Sequence, residues 1–101
     1  MTEYELKFDE EFTKSVQKMD NSIRKMIVKK IQKLKENPRS GKVISPILYE
    51  LYCQSYRIYY TIDDSQVKVL LIAIEHKDQQ QEFINKANDK KFIKELIKKN
   101  L

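Results

Sequence analysis

Arg57 is the residue of this chain whose position most calls for a chemical explanation. It stands in Tyr56-Arg57-Ile58-Tyr59-Tyr60, a run of strand-forming residues, and is one of just three arginines (Arg24, Arg39 and Arg57) in a chain that otherwise carries its positive charge on lysine. A guanidinium inside an apolar strand costs free energy unless it has a partner. Its planar fork of donors stays charged at any physiological pH and suits a phosphate especially well. The other partner on offer is a carboxylate on a neighbouring strand, Glu50 or Glu75. Alternation along the strand sends Arg57, Tyr59 and Thr61 to one face and Tyr56, Ile58, Tyr60 and Ile62 to the other.

The elements that must hold this residue can be read from periodicity, because one glycine and two prolines give little punctuation. Tyr4 to Phe8 alternates with period two, as an edge strand does. Asp9 is an N-cap, with Glu10 and Glu11 in the first helical turn. Phe12, Val16 and Met19 then follow at helical spacing. Asp20, Asn21 and Ser22 supply a second cap, and the stripe of Ile23, Met26, Ile27, Ile31 and Leu34 that follows predicts a helical hairpin. Asn37-Pro38-Arg39-Ser40-Gly41 ends it, and Pro46 marks the entry to a meander of strands over Leu48–Cys53, Tyr56–Ile62 and Val67–Ile74. The third of these is apolar on both faces, which predicts a central strand covered on both sides. Beyond Lys77 the period is helical again, with Phe83, Ile84 and Ala87 in one cluster and Phe92, Ile93, Leu96 and Ile97 in another. The expected architecture is a single α+β domain over residues 1–101, with an N-terminal strand, a two-helix hairpin, an antiparallel β-meander and a C-terminal helix. The helices are expected on one face of the sheet.

Composition narrows the function classes. A chain of 101 residues has room for one core. No apolar run approaches membrane-spanning length, and the acidic, alternating N-terminus is unlike a secretion signal, so the expected location is the cytoplasm. A single cysteine, Cys53, and a single histidine, His76, exclude an internal disulfide and a zinc cage built from Cys and His, so no metal or cofactor is expected. The net charge of +5 is uneven. Residues 13–42 carry ten Lys/Arg against Asp20 and Glu36, whereas 43–83 carry three against six carboxylates. The first of these segments can attract polyanions, and Lys25, Lys29, Lys30 and Lys33 on the second helix are its candidate RNA contacts.

Taken in order, the opening strand, the lysine-rich helix before Asn37-Pro38, Leu48-Tyr49-Glu50-Leu51 and Tyr56-Arg57-Ile58-Tyr59-Tyr60 resemble the RelE/ParE superfamily of type II toxin–antitoxin toxins. Lys77, Gln80 and Ile84-Asn85-Lys86-Ala87 are similar to the small addiction module killer proteins related to RelE and HigB. The resemblance implies a toxin neutralised by a cognate antitoxin. One branch cleaves messenger RNA on the ribosome without a metal, while the ParE branch blocks DNA gyrase by binding. A relic that only binds its antitoxin is the third possibility.

For the nuclease branch the resemblance makes Arg57 the phosphate ligand and transition-state stabiliser. Lys77 takes the place of a second basic residue, as a lysine where the best-known members have arginine. Two positions depart from the pattern. Glu50 and Tyr52 stand where RelE-type enzymes carry basic residues, and Phe83 stands where they carry a catalytic tyrosine. Proton transfer then falls to His76, whose unperturbed pKa lies near neutrality, with Glu50 or Glu75 as its carboxylate partner. Tyr52 and Tyr59 are the candidates for stacking on a base.

Overall fold

The computed structural model describes residues 3–79 and 90–100. The chain runs β1 (Glu5–Phe8), α1 (Glu10–Gln17), α2 (Asn21–Gln32), β2 (Lys42–Ser45), β3 (Leu48–Cys53), β4 (Tyr56–Asp63), β5 (Lys68–His76) and α3 (Lys90–Asn100), with short 3-10 turns at Lys33–Lys35, Pro38–Ser40 and Lys77–Gln79. The strands form one five-stranded sheet in the order β1-β5-β4-β3-β2. β1 lies parallel to β5 at one edge, and the remaining pairs are antiparallel.

Both helix starts follow the sequence. The Asp9 carboxylate accepts from the Glu11 amide and the Asp20 carboxylate from the Ile23 amide, each at 3.1 Å, which satisfies N–H groups that a helix end leaves unbonded. α1 and α2 cover one face of the sheet, where Phe12, Val16, Ile27, Ile31 and Leu34 pack against Leu51, Ile58, Tyr60, Val69, Leu71 and Ile74. The opposite face holds Leu48, Tyr59, Leu70 and Ile72 beneath Ile93 of α3, with Phe92, Leu96 and Ile97 beside them.

Helices therefore cover both faces, not one. The two-sided apolarity of β5 requires this, since one layer of helices would leave Leu70 and Ile72 in water. α3 is also tied to the far layer: the Asn100 amide nitrogen donates to the buried Asp9 carboxylate at 2.9 Å.

β2 is an additional edge strand, in a stretch before Pro46 to which the sequence assigned no element. Its residues are exposed or half-buried and carry no alternation of burial, so periodicity could not reveal it. It pairs with β3 at Lys42↔Glu50, Val43↔Tyr49 and Ser45↔Leu48.

β4 and β5 pair with one irregularity. Tyr60 lies opposite Leu71 and Tyr59 opposite Ala73, so Ile72 is an extra residue, a β-bulge. Simple alternation would group Ala73 with Val69 and Leu71; the bulge places Ile74 with them instead. Everything after Ile72 is thereby shifted by one face. No helix among the described residues is long and apolar enough to cross a membrane.

Candidate functional site

Arg57 is the second residue of β4, directly after the two-residue turn Gln54-Ser55. That turn is tight because Gln54 takes a left-handed φ of 53°, and it sets the register Tyr52↔Arg57 and Glu50↔Tyr59. Glu50, Tyr52, Arg57 and Tyr59 thus share the α3 side of the sheet. The guanidinium lies over the Tyr52 ring, 4.4 Å from its centroid, a cation–π contact at the rim of the sheet. Its Nη1 is 3.5 Å from the Glu50 carboxylate, which is 2% exposed, whereas Arg57 itself is 22% exposed. Among the described residues, Arg57 Nε is buried without a hydrogen-bond partner.

Of the two partners that the sequence offers Arg57, the structure thus contains the carboxylate. Glu75 lies opposite Arg57 on β5, and Lys42 lies opposite Glu50 on β2. Hydrogen bonding to Glu50 raises the Tyr52 hydroxyl above its ordinary pKa, and burial and the nearby Glu50 charge are secondary causes. Tyr52 remains 46% exposed. Burial, reinforced by the charges of Glu50 and Glu75, pushes the Tyr59 hydroxyl well up.

Tyr59 is fully buried in the α3 layer, so it packs the core and offers no face for stacking on a base. His76 pairs in register with Tyr56 and meets that ring edge-on, at 5.5 Å between centroids. Tyr56 belongs to the α1–α2 side, so His76 is turned away from Arg57. The bulge at Ile72 is the reason, because it brings Glu75 rather than His76 onto the arginine face. The His76 Nδ1 instead accepts from the Asp78 amide at 3.3 Å.

Lys77 is exposed, and its backbone N–H donates to the Ser55 carbonyl at 2.7 Å, which places it at the same end of the sheet as Arg57. Lys25, Lys29 and Lys33 are exposed and Lys30 half-buried, but α2 lies on the layer opposite Arg57. Lys30 and Lys33 border an open groove of about 480 Å³ with Glu36, Asn37, Ser40 and Leu51. Phe83 and the 84–87 stretch lie outside the described residues.

The structure therefore gathers Arg57, Tyr52, Glu50 and Glu75, with Lys77 at the same end, and separates His76 and the α2 lysines from them. The Tyr52–Arg57 contact escaped the sequence reading. Its signal was present, since a two-residue turn at Gln54-Ser55 places those two side chains opposite one another.

Residues 6–81 match the family described as the ParE toxin of the type II toxin–antitoxin system parDE. Solved structures supply three further likenesses. The RelBE toxin–antitoxin complex of E. coli aligns at 31% identity and a TM-score of 0.66, over 72% of this chain and 95% of that one. A mutant of E. coli RelE in the free state aligns at 26% identity and a TM-score of 0.66, over 99% and 100% of the two chains. RelBE2 from Mycobacterium tuberculosis, at 22% identity and a TM-score of 0.66 over 74% and 99%, shares the fold. A comparison with curated protein sequences gives no match.

Proposed function

The chain belongs to the RelE/ParE superfamily of type II toxin–antitoxin toxins, and from that premise we propose that it cleaves ribosome-bound messenger RNA without a metal and is held silent by a cognate antitoxin. The observation that carries this reading is the Arg57–Tyr52 pair. A partly exposed guanidinium on an exposed aromatic ring gives a phosphate its donors and a neighbouring base its stacking surface. Lys77 adds a second cation at that end, and Lys25, Lys29 and Lys30 of α2, with Lys33 in the turn after it, dock on ribosomal RNA.

In this reading the substrate 2′-oxygen attacks the adjacent phosphorus and the bond to the 5′-oxygen breaks, leaving a 2′,3′-cyclic phosphate and a 5′-hydroxyl. Arg57 stabilises the charge that builds on the phosphorane. The proton from the 2′-hydroxyl passes to the Tyr52 oxygen as the tyrosine gives its own to the Glu50 carboxylate, and water protonates the leaving oxygen. Glu50 thereby acts through Tyr52, in place of the His76 that faces the other way.

A second reading is a ParE-like toxin that binds DNA gyrase without chemistry. The described match to a ParE family and the two carboxylates on the arginine face favour it. Induced expression without the antitoxin, followed by transcript-end mapping, separates the two. New 5′-hydroxyl ends within translated messages are the expected result. Intact transcripts with accumulated gyrase–DNA cleavage complexes would establish the second reading, and unaffected growth would refute both.

A further inference from the structure

α2 is not the only basic helix. α3 carries five lysines against Glu95. Phe92, Ile93, Leu96 and Ile97 face the sheet, and Lys91, Lys94 and Lys98 are exposed at spacings of three and four, one stripe along the outer side. Lys99 lies 3.9 Å from Asp9 and 3.8 Å from Glu10, at the α1 end of the helix. The helix dipole accounts for Lys98 and Lys99 in the last turn, but not for Lys91 and Lys94. Glu95, four residues after Lys91 and three before Lys98, offsets part of the repulsion within this stripe, and a polyanion relieves what is left.

The two basic helices differ in which side of the sheet they occupy. α2 is on the layer opposite Arg57, whereas α3 covers the side that Arg57, Tyr52 and Glu50 share. Ile93, near the start of α3, packs with Tyr59, two residues along β4 from Arg57, and Asn100 at its end reaches Asp9 beside β1. α3 therefore overlies the side of the sheet that Arg57 faces, from above Tyr59 towards β1.

We infer that the stripe Lys91, Lys94 and Lys98 is the track for the RNA strand whose phosphate is held at Arg57, so that the substrate runs along α3 and not along α2. The inference rests on the RNA reading of the Arg57 site. It commits to single-stranded RNA, because a stripe of ammonium groups on the same side of the sheet as a guanidinium–aromatic pair fits a flexible phosphate chain with exposed bases.

The test is binding of a labelled 2′-O-methyl oligoribonucleotide, which cannot be cleaved, by the full chain across a series of salt concentrations. Each lysine that neutralises a phosphate on a single strand adds about 0.7 to the slope of log K against log salt. Lys94→Gln/Lys98→Gln is expected to weaken binding about tenfold or more at low salt and to flatten the slope by about 1.4. The charge-matched pair Lys14→Gln/Lys18→Gln, on α1 and at its C-terminal cap, keeps the wild-type slope, and thermal melting of each variant reports its fold. Wild-type binding that Arg57→Lys weakens but Lys94→Gln/Lys98→Gln does not would overturn the α3 track and leave the site reading standing. Failure of the wild type to bind RNA at any salt concentration overturns both.

Discussion

The Arg57 guanidinium lies 3.5 Å from a Glu50 carboxylate that is almost wholly buried, so removing either side chain takes a charged partner from the other. Removing one member of a fully buried ion pair costs about 3–5 kcal/mol. With Arg57 partly in water, Glu50→Ala or Arg57→Ala is expected to cost about 1–3 kcal/mol. The Glu50→Ala/Arg57→Ala double variant should lose less than the sum of the two, with a coupling of about 1 kcal/mol in a double-mutant cycle by urea denaturation. Additive single losses would show that the contact has no energetic consequence. The same series bears on toxicity: Arg57→Lys keeps a charge beside Glu50 but loses the fork, and it should relieve growth arrest with little change in melting temperature.

Gly41 is required by space, since its φ of −78° is open to any residue. A β-carbon there would lie 2.6 Å from the Tyr60 hydroxyl and 2.7 Å from the Glu50 carbonyl oxygen. The Tyr60 hydroxyl is fixed, because it donates to the Pro38 carbonyl at 2.7 Å and accepts from the Gly41 amide at 3.0 Å. Gly41→Ala must displace β3 backbone or break that bridge, at a cost of about 1–3 kcal/mol. A melting temperature within one degree of wild type would contradict the crowding.

Val67 closes the β4–β5 turn with a φ of 56°, a conformation that a β-branched residue adopts under strain. Val67→Asn or Val67→Gly should therefore raise stability by about 1 kcal/mol, visible as a higher urea midpoint with an unchanged slope. A lower midpoint would mean that the valine side chain contributes more by packing than its backbone loses by strain.

The same turn carries an acid-sensitive contact. Hydrogen bonds from Arg39 and then from Tyr4 hold the Asp64 carboxyl below the usual carboxylate range. A group whose folded pKa is lowered stabilises the protein fully above its unfolded value, about 4, and loses that contribution as pH falls through the folded value. Stability should thus decline in acid from about pH 4 downwards, and Asp64→Asn should flatten that part of the profile while leaving its neutral part parallel to wild type. An unchanged acid limb would exclude the contact as its source.

Much of the fold was legible in the sequence because local signals agreed there. Asp9 and the Asp20-Asn21-Ser22 group marked both helix starts, the inner stripes of α1 and α2 were periodic, and the boundaries of β3 were met in full. What escaped depended on pairing. β2 has no burial rhythm of its own, and the placement of α3 on the second face follows from what β5 leaves uncovered rather than from α3 itself. At the site, Arg57 and the need for a partner were readable from residue type alone. The choice of Glu50 over a free donor set, the burial of Tyr59 and the turning away of His76 were not, since each depends on how β4 meets its neighbours.

The bulge at Ile72 has a consequence for anyone redesigning this surface. It acts as a phase control on the last third of β5: one uncounted residue decides whether an aliphatic side chain or an acid stands across from Arg57. Were the ladder pulled into a regular register, Ile74 would face the arginine and Glu75 would move to the histidine's present position beside Tyr56. The electrostatic sign of this end is thus encoded in strand phase as well as in residue identity, and a register-shifting insertion upstream of Glu75 could retune it without touching a charged side chain.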